Sequence, residues 1–175
     1  MEFKSLFIEN IVPYSSSVGL SKLSDYFSGR LHSFPNDLAS LYELGDGLKI
    51  SDDDFEFVFP LKEVFGQRGE LRFSFVLPIE SILQNFDLRE GVAFPKGTIP
   101  FVDIELGEIV VSCREDSFGE VFFCEGDPLP EQMPEESFED SMNKFNPDQN
   151  SYPNTILKLA NSIEEFINLV TLDEW

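Results

Sequence analysis

The chain has few of the residues that carry out catalysis or bind metals. Histidine occurs once, at His32, which excludes a multi-histidine metal site and any mechanism that needs two imidazoles. His32 stands beside Phe34 in a connecting segment, where a surface or packing role is favoured over catalysis. The sequence contains no Gly-rich phosphate loop and no G-x-S-x-G motif. We therefore predict a protein that is not an enzyme and that binds no cofactor or metal.

Cysteine is also scarce, and long apolar runs are absent. Cys113 and Cys124 are too few for the disulfide framework of a small secreted protein. Residues 1–17 contain no basic segment followed by an apolar one, and no apolar run is long enough to cross a bilayer. We expect a cytoplasmic protein whose thiols are buried and reduced, with a redox pair as the alternative.

Basic residues are the third shortage. The chain has 12 Lys and Arg against 33 Asp and Glu, a formal net charge of -21. Phosphate backbones and anionic lipid surfaces would be repelled, so we expect neither nucleic acid nor membrane as a partner. A basic protein would instead be attracted, and its association would be accelerated. The same charge also favours solubility by itself.

Core-forming residues, by contrast, are abundant. Hydrophobic residues make up 42% of the 175 positions, and phenylalanine alone contributes 19. This is enough to fold one domain over residues 1–175. The segment at about 126–154 is rich in Pro, Glu, Asp and Asn, which predicts a long loop or insertion.

Helical signals lie near both ends of the chain. Ser21 can cap a helix with apolar residues at helical spacing that ends near residues 29–30. Pro35 suits the first turn of a second helix, which Gly45 would terminate. Near the C-terminus, Ser162 and Glu165 have the spacing of a capping box and predict a third helix.

Strand signals lie between these helices. In residues 55–59 and 73–77, large apolar side chains recur at every second position, which is typical of strands. A potential helical turn follows each stretch, near Val64 and near Ile82. Residues 155–159 predict a short last strand. A hairpin with its tip at Phe118-Gly119 would place Cys113 opposite Cys124, and a wider loop in the same register is the alternative. The predicted fold is α+β, with N-terminal helices, a central, mostly antiparallel sheet and a C-terminal helix packed on it.

Four separated segments together resemble the SUKH superfamily. They are Phe34-Pro35-Asn36-Asp37-Leu38 running on to Asp46-Gly47, then Leu77-Pro78-Ile79-Glu80-Ser81-Ile82, then Ile99-Pro100-Phe101-Val102-Asp103 with the hairpin to 119–123, and finally 160–167. The resemblance implies an α+β domain without an enzymatic centre. It also implies protein binding, because the bacterial members are chiefly immunity proteins that neutralise toxins, many of them nucleases. The fungal relatives are interaction scaffolds that regulate cell-wall synthesis.

Charge and resemblance together suggest an immunity protein that binds and neutralises a cognate, basic toxin domain as a monomer or homodimer. We expect its contacts to come from acidic residues: Asp52, Asp53, Asp54, Asp103, Glu105, Glu108, Glu115 and Asp116. The run at 52–54 lacks the alternating ladder of a calcium loop. One alternative is a non-enzymatic regulatory scaffold that docks through the acidic segment 131–140. Another is a hydrolase or metal-dependent enzyme, although nothing in the sequence selects a catalytic carboxylate pair.

Overall fold

The computed structural model describes most of the chain apart from the Pro/Glu-rich segment. It describes residues 3–14, 19–31, 33–52, 54–64, 67–84, 86–90, 94–104, 107–125 and 156–174. The loop or insertion predicted at about 126–154 lies outside these residues. The described residues share one hydrophobic core, which extends from Phe3 to Val170.

Helices occur before, between and after runs of strands in the described part of the chain. The helices are α1 (Ser5–Glu9), α2 (Leu20–Phe27), α3 (Asn36–Glu43), α4 (Ile79–Gln84), α5 (Phe86–Arg89) and α6 (Ile163–Leu169). The strands are β1 (Ile11–Pro13), β2 (Leu48–Ile50), β3 (Phe55–Val64), β4 (Gln67–Phe73), β5 (Phe75–Val76), β6 (Thr98–Ile104), β7 (Gly107–Ser112), β8 (Val121–Glu125), β9 (Ile156–Ala160) and β10 (Thr171–Glu174).

The strands form three antiparallel sheets. Their orders are β1-β2-β5, β10-β3-β4 and β6-β7-β8-β9. A backbone hydrogen bond of 2.8 Å from Leu77 to the carbonyl of Phe101 links the end of β5 to β6. The α+β prediction with mostly antiparallel pairing is therefore confirmed.

The C-terminal helix packs on the sheets through Phe166. Its ring is fully buried and lies 4.9 Å from Phe59 and 5.8 Å from Phe73, both in the β10-β3-β4 sheet. It also meets the ring of Phe101 on β6 edge-on, with the centroids 5.9 Å apart. One side chain thus connects α6 to two sheets, which confirms the predicted position of this helix.

Local sequence signals explain how two of the helices begin. The hydroxyl of Ser162 accepts a hydrogen bond of 3.0 Å from the backbone N–H of Glu165, as the predicted capping box requires. The carboxylate of Glu165 accepts from the backbone N–H of Asn161, one residue before the cap. Pro35 directly precedes α3, one position before the first helical position predicted for it, and Ser21 lies inside α2 instead of at its N-cap.

The β7–β8 hairpin differs from its predicted register. Glu108, rather than Cys113, is paired with Cys124, and the strands are joined by a loop at 113–120. Ser112 anchors this loop because its hydroxyl lies 2.8 Å from that of Ser117. The register prediction was wrong because β7 is buried along its whole length, so apolar residues occur on both of its faces.

The predicted strand at 73–77 is divided between two sheets. Ser74 lies between β4, which pairs with β3, and β5, which pairs with β2. Ile82 lies in a helix as expected, whereas Val64 belongs to β3, so the helical turn predicted there was wrong. The sequence patterns also missed α1, β1 and β10, because these elements are short and have no strong periodicity.

Candidate protein-binding surface

Many of the Arg and Lys side chains in the described structure form ion pairs with neighbouring carboxylates. Arg72 on β4 lies 2.6 Å from Glu70, 2.9 Å from Asp173 on β10 and 3.6 Å from Glu56 on β3. This guanidinium therefore links the three strands of one sheet. Its hydrogen bonds to Glu70 and Asp173 raise the pKa of Arg72 above its usual value.

Other cations are engaged in the same way. Arg30 lies 2.6 Å from Asp87 and 4.2 Å from the ring centroid of Tyr26. Hydrogen bonds from Arg30 and from the Tyr26 hydroxyl hold the pKa of Asp87 below its usual value. Lys158 on β9 lies 2.6 Å from Glu120. Each such pair cancels positive and negative charge together, so the net charge of -21 is carried by other carboxylates of the chain.

Asp52 and Asp54 lie in the turn that joins β2 to β3. Both are exposed, and the backbone N–H of Asp54 donates to the carboxylate of Asp52 over 3.1 Å. The backbone N–H of Phe55 donates to the Asp52 carbonyl, which closes the turn before β3 begins. Asp53 lies outside the described residues. The turn therefore presents two carboxylates to solvent at the end of β2.

Two exposed carboxylates that the sequence did not indicate join this turn. Glu9 is next to Asn10, whose carbonyl accepts a hydrogen bond of 2.9 Å from Ser51. Glu174 is paired with Phe55 across β10 and β3. We call Glu9, Asp52, Asp54 and Glu174 the acidic end. No local pattern could have identified Glu174, since its position depends on the pairing of the last strand with β3.

Glu108 is not available to a partner. It is only 3% exposed and forms an ion pair with Arg89 of α5. Apart from this ion pair, its oxygens have no hydrogen-bond partner among the described residues. Asp103, paired with Glu108 across β6 and β7, is half-buried, and Glu105 lies outside the described residues. The expectation that Glu108 contacts a partner is therefore corrected: its side chain is buried and paired with Arg89 of α5.

Glu115 and Asp116 are exposed in the loop at 113–120. Partial burial opposes the ionisation of Asp116, but Arg114 at 3.3 Å and the hydroxyl of Ser117 at 3.1 Å outweigh it, so the pKa of Asp116 is lowered. Glu108 lies near the start of β7, and this loop begins five residues later, after the strand's other end. At roughly 3.4 Å per residue, the loop begins about 17 Å from Glu108. Of the predicted contact residues, Glu108 is buried, whereas Asp52, Asp54, Glu115 and Asp116 are exposed.

The remaining reactive groups are buried and held in their neutral forms. Both cysteines are free and buried, as expected. Burial raises the pKa of Cys113 to about 12 and raises that of Cys124 as well, so neither thiol is activated. The hydroxyl of Tyr42 donates to the Leu77 carbonyl over 2.7 Å, and burial raises its pKa. Within the described residues, no group of three or more His, Cys, Asp or Glu side chains is arranged to hold a metal ion.

Comparison with known proteins does not indicate a family or a function for this chain. No protein-family model, curated protein or solved structure matches this chain. The resemblance to the SUKH superfamily therefore stays a prediction. None of the helices in the described ranges is long and apolar enough to cross a membrane. Among the described residues, the two cysteine thiols are buried, whereas Asp52, Asp54, Glu115 and Asp116 present carboxylates to solvent.

Proposed function

We propose that this chain is an immunity protein of the cytoplasm that binds and neutralises a cognate, basic toxin domain without performing chemistry itself. The observation that carries the proposal is the excess of 21 acidic over basic residues, combined with the engagement of Arg30, Arg72, Arg89, Arg114 and Lys158 by carboxylates. A protein with this charge distribution is suited to attract a cationic protein. The SUKH resemblance supports the same function.

Charge complementarity also indicates how the partner is recognised. Exposed carboxylates accelerate encounter with a cationic surface, and this acceleration decreases as salt screens the charges. A toxin that acts on nucleic acid carries a basic substrate groove, which an acidic protein can occupy. The acidic end supplies four such carboxylates on three neighbouring segments of the fold. A nuclease domain is accordingly the favoured class of toxin.

The proposal is tested by co-expressing this chain with the C-terminal domain of the protein encoded immediately upstream, which the immunity function predicts to be toxic. We expect cells that make the upstream domain to grow only when this chain is made as well, and the two proteins to co-purify as a one-to-one complex. The association rate should fall steeply with salt. A domain that stays toxic and does not bind this chain would contradict the immunity function.

That contradicting result would favour the regulatory scaffold. The scaffold hypothesis places docking on residues 131–140, which lie outside the described part of the structure. Deleting them should then abolish partner binding while the thermal transition of the domain is retained. An immunity complex that keeps its affinity after the same deletion would favour the first proposal.

A further inference from the structure

The sheet formed by β1, β2 and β5 has two apolar faces instead of one. Leu48 and Ile50 on β2 and Val76 on β5 are buried in the core. On the opposite side, Val12 is paired with Lys49, and Lys49 with Phe75, so their side chains form a row across the three strands.

Tyr14 extends this row. Its backbone N–H donates to the carbonyl of Gly47 over 2.9 Å, which continues the β1–β2 pairing by one residue beyond Pro13. Because side chains alternate along a strand, Tyr14 lies on the same side as Val12. We call Val12, Tyr14, Lys49 and Phe75 the outer face.

The composition of the outer face is unusual for a solvated sheet. An antiparallel sheet that covers a core on one side normally carries polar side chains on the other. Here Val12 is 36% exposed, Tyr14 57% and Phe75 37%. Single exposed apolar residues need no explanation, but a row of them on one face marks an interaction site. The methylene stem of Lys49 adds apolar surface between the rings.

Charge identifies the kind of partner that this face fits. β2 runs from the outer face directly into the turn of Asp52 and Asp54, and Ser51 connects it to the segment of Glu9. An apolar and aromatic centre with a charged rim is the usual anatomy of a protein interface. A second copy of this chain would bring its own net charge of -21 against the same rim, so self-association is disfavoured.

The partner is expected to lie on the face rather than to extend the sheet. β1 is the terminal strand of its sheet, but it contains only three residues and ends in Pro13, which has no N–H to donate. A short edge strand with proline is a poor template for pairing with another strand. Affinity must then come from side chains, and tyrosine is among the residues that most often dominate binding energy.

We infer that the basic toxin domain docks on the outer face, with the acidic end as its electrostatic rim. This inference rests on the proposed function. It adds the surface of this chain that binds the partner, and it specifies the partner as a cationic protein with an apolar patch. Phe75 and Tyr14 supply the apolar anchors. Asp52 and Asp54 accelerate the encounter.

The test measures binding of the purified toxin domain to the full chain and to three single variants. Phe75→Ser and Tyr14→Ser should each weaken binding about tenfold or more, mainly by faster dissociation. Phe118→Ser is the matched control, because Phe118 is 44% exposed but lies in the loop at 113–120. Each variant should keep a cooperative thermal transition above the temperature of the binding assay, which shows that it folds, although Phe75→Ser is expected to lower Tm because Phe75 is only 37% exposed.

The charged rim is tested by the double variant D52N/D54N. Its association rate should decrease several-fold at low salt and approach the wild-type rate at high salt, with little change in dissociation. The separate effects on association and dissociation distinguish the rim from the anchors.

The possible outcomes distinguish failure of the docking site from failure of the proposed function. If the wild type binds the toxin and both anchor variants bind equally well, the outer face is not the docking site, although the proposed function stands. If the wild type does not bind the toxin, the proposed function fails and the inference fails with it. A wild-type homodimer that Phe75→Ser dissociates would assign the face to self-association and would also overturn the inference.

Discussion

Phe166 offers the most direct test of how the fold is held together. Its ring is fully buried and contacts Phe59 and Phe73 in one sheet and Phe101 in another. Replacing it with alanine removes the side chain that packs α6 onto both sheets. The prediction is therefore that Phe166→Ala destabilises the whole domain and does not merely loosen the helix.

The expected magnitude follows from these contacts. Truncating a buried phenylalanine to alanine costs about 3–5 kcal/mol, including the cavity that remains. Each aromatic pair adds about 0.5–1.5 kcal/mol beyond the burial of area, so Phe166 belongs near the upper end of that range. At roughly 2–4 °C per kcal/mol for a chain of this size, a loss of about 4–5 kcal/mol lowers Tm by roughly 8–20 °C. The total stability of a domain is only about 5–15 kcal/mol.

Urea unfolding followed by circular dichroism measures this loss. Leu169→Ala on the same helix is the control, because Leu169 is 45% exposed, and it should change stability by about 0.5 kcal/mol or less. Phe166→Leu retains most of the volume and should lose about 1–2 kcal/mol. If Phe166→Ala costs less than about 1 kcal/mol, or no more than the control, α6 does not pack on the two sheets as described.

Three further predictions concern the cap of α6, the buried ion pair and the thiols. Ser162→Ala should cost about 1 kcal/mol in urea unfolding, and an unchanged midpoint would contradict the capping role. R89A should cost about 2 kcal/mol because it leaves the carboxylate of Glu108 buried without its cation, and adding E108Q should recover part of that loss. Cys113 and Cys124 should resist iodoacetamide near neutral pH until the protein is unfolded, whereas rapid labelling of the native protein would show that they are accessible.

The sequence by itself determined the features that depend on near neighbours. The capping box of Ser162 and Glu165 involves residues three positions apart, and its hydrogen bond is present in the structure. Pro35 and the apolar positions after it predicted α3, and the alternation at 55–59 predicted β3. Capping and side-chain periodicity act over one or two turns or a few strand residues, so a local pattern is sufficient to indicate them. The net charge of -21 also follows from the sequence alone.

Only the tertiary structure decided which acidic residues face solvent and where the strands pair. Glu108 is buried and paired with Arg89 of α5, and a strand that is buried along its whole length, as β7 is, has no alternation from which its register could be inferred. The acidic end depends on the pairing of Glu174 with Phe55. The outer face likewise exists only because strand order places Val12 and Phe75 on either side of Lys49. Contacts between residues distant in sequence depend on the packing of the whole chain, so no local pattern encodes them.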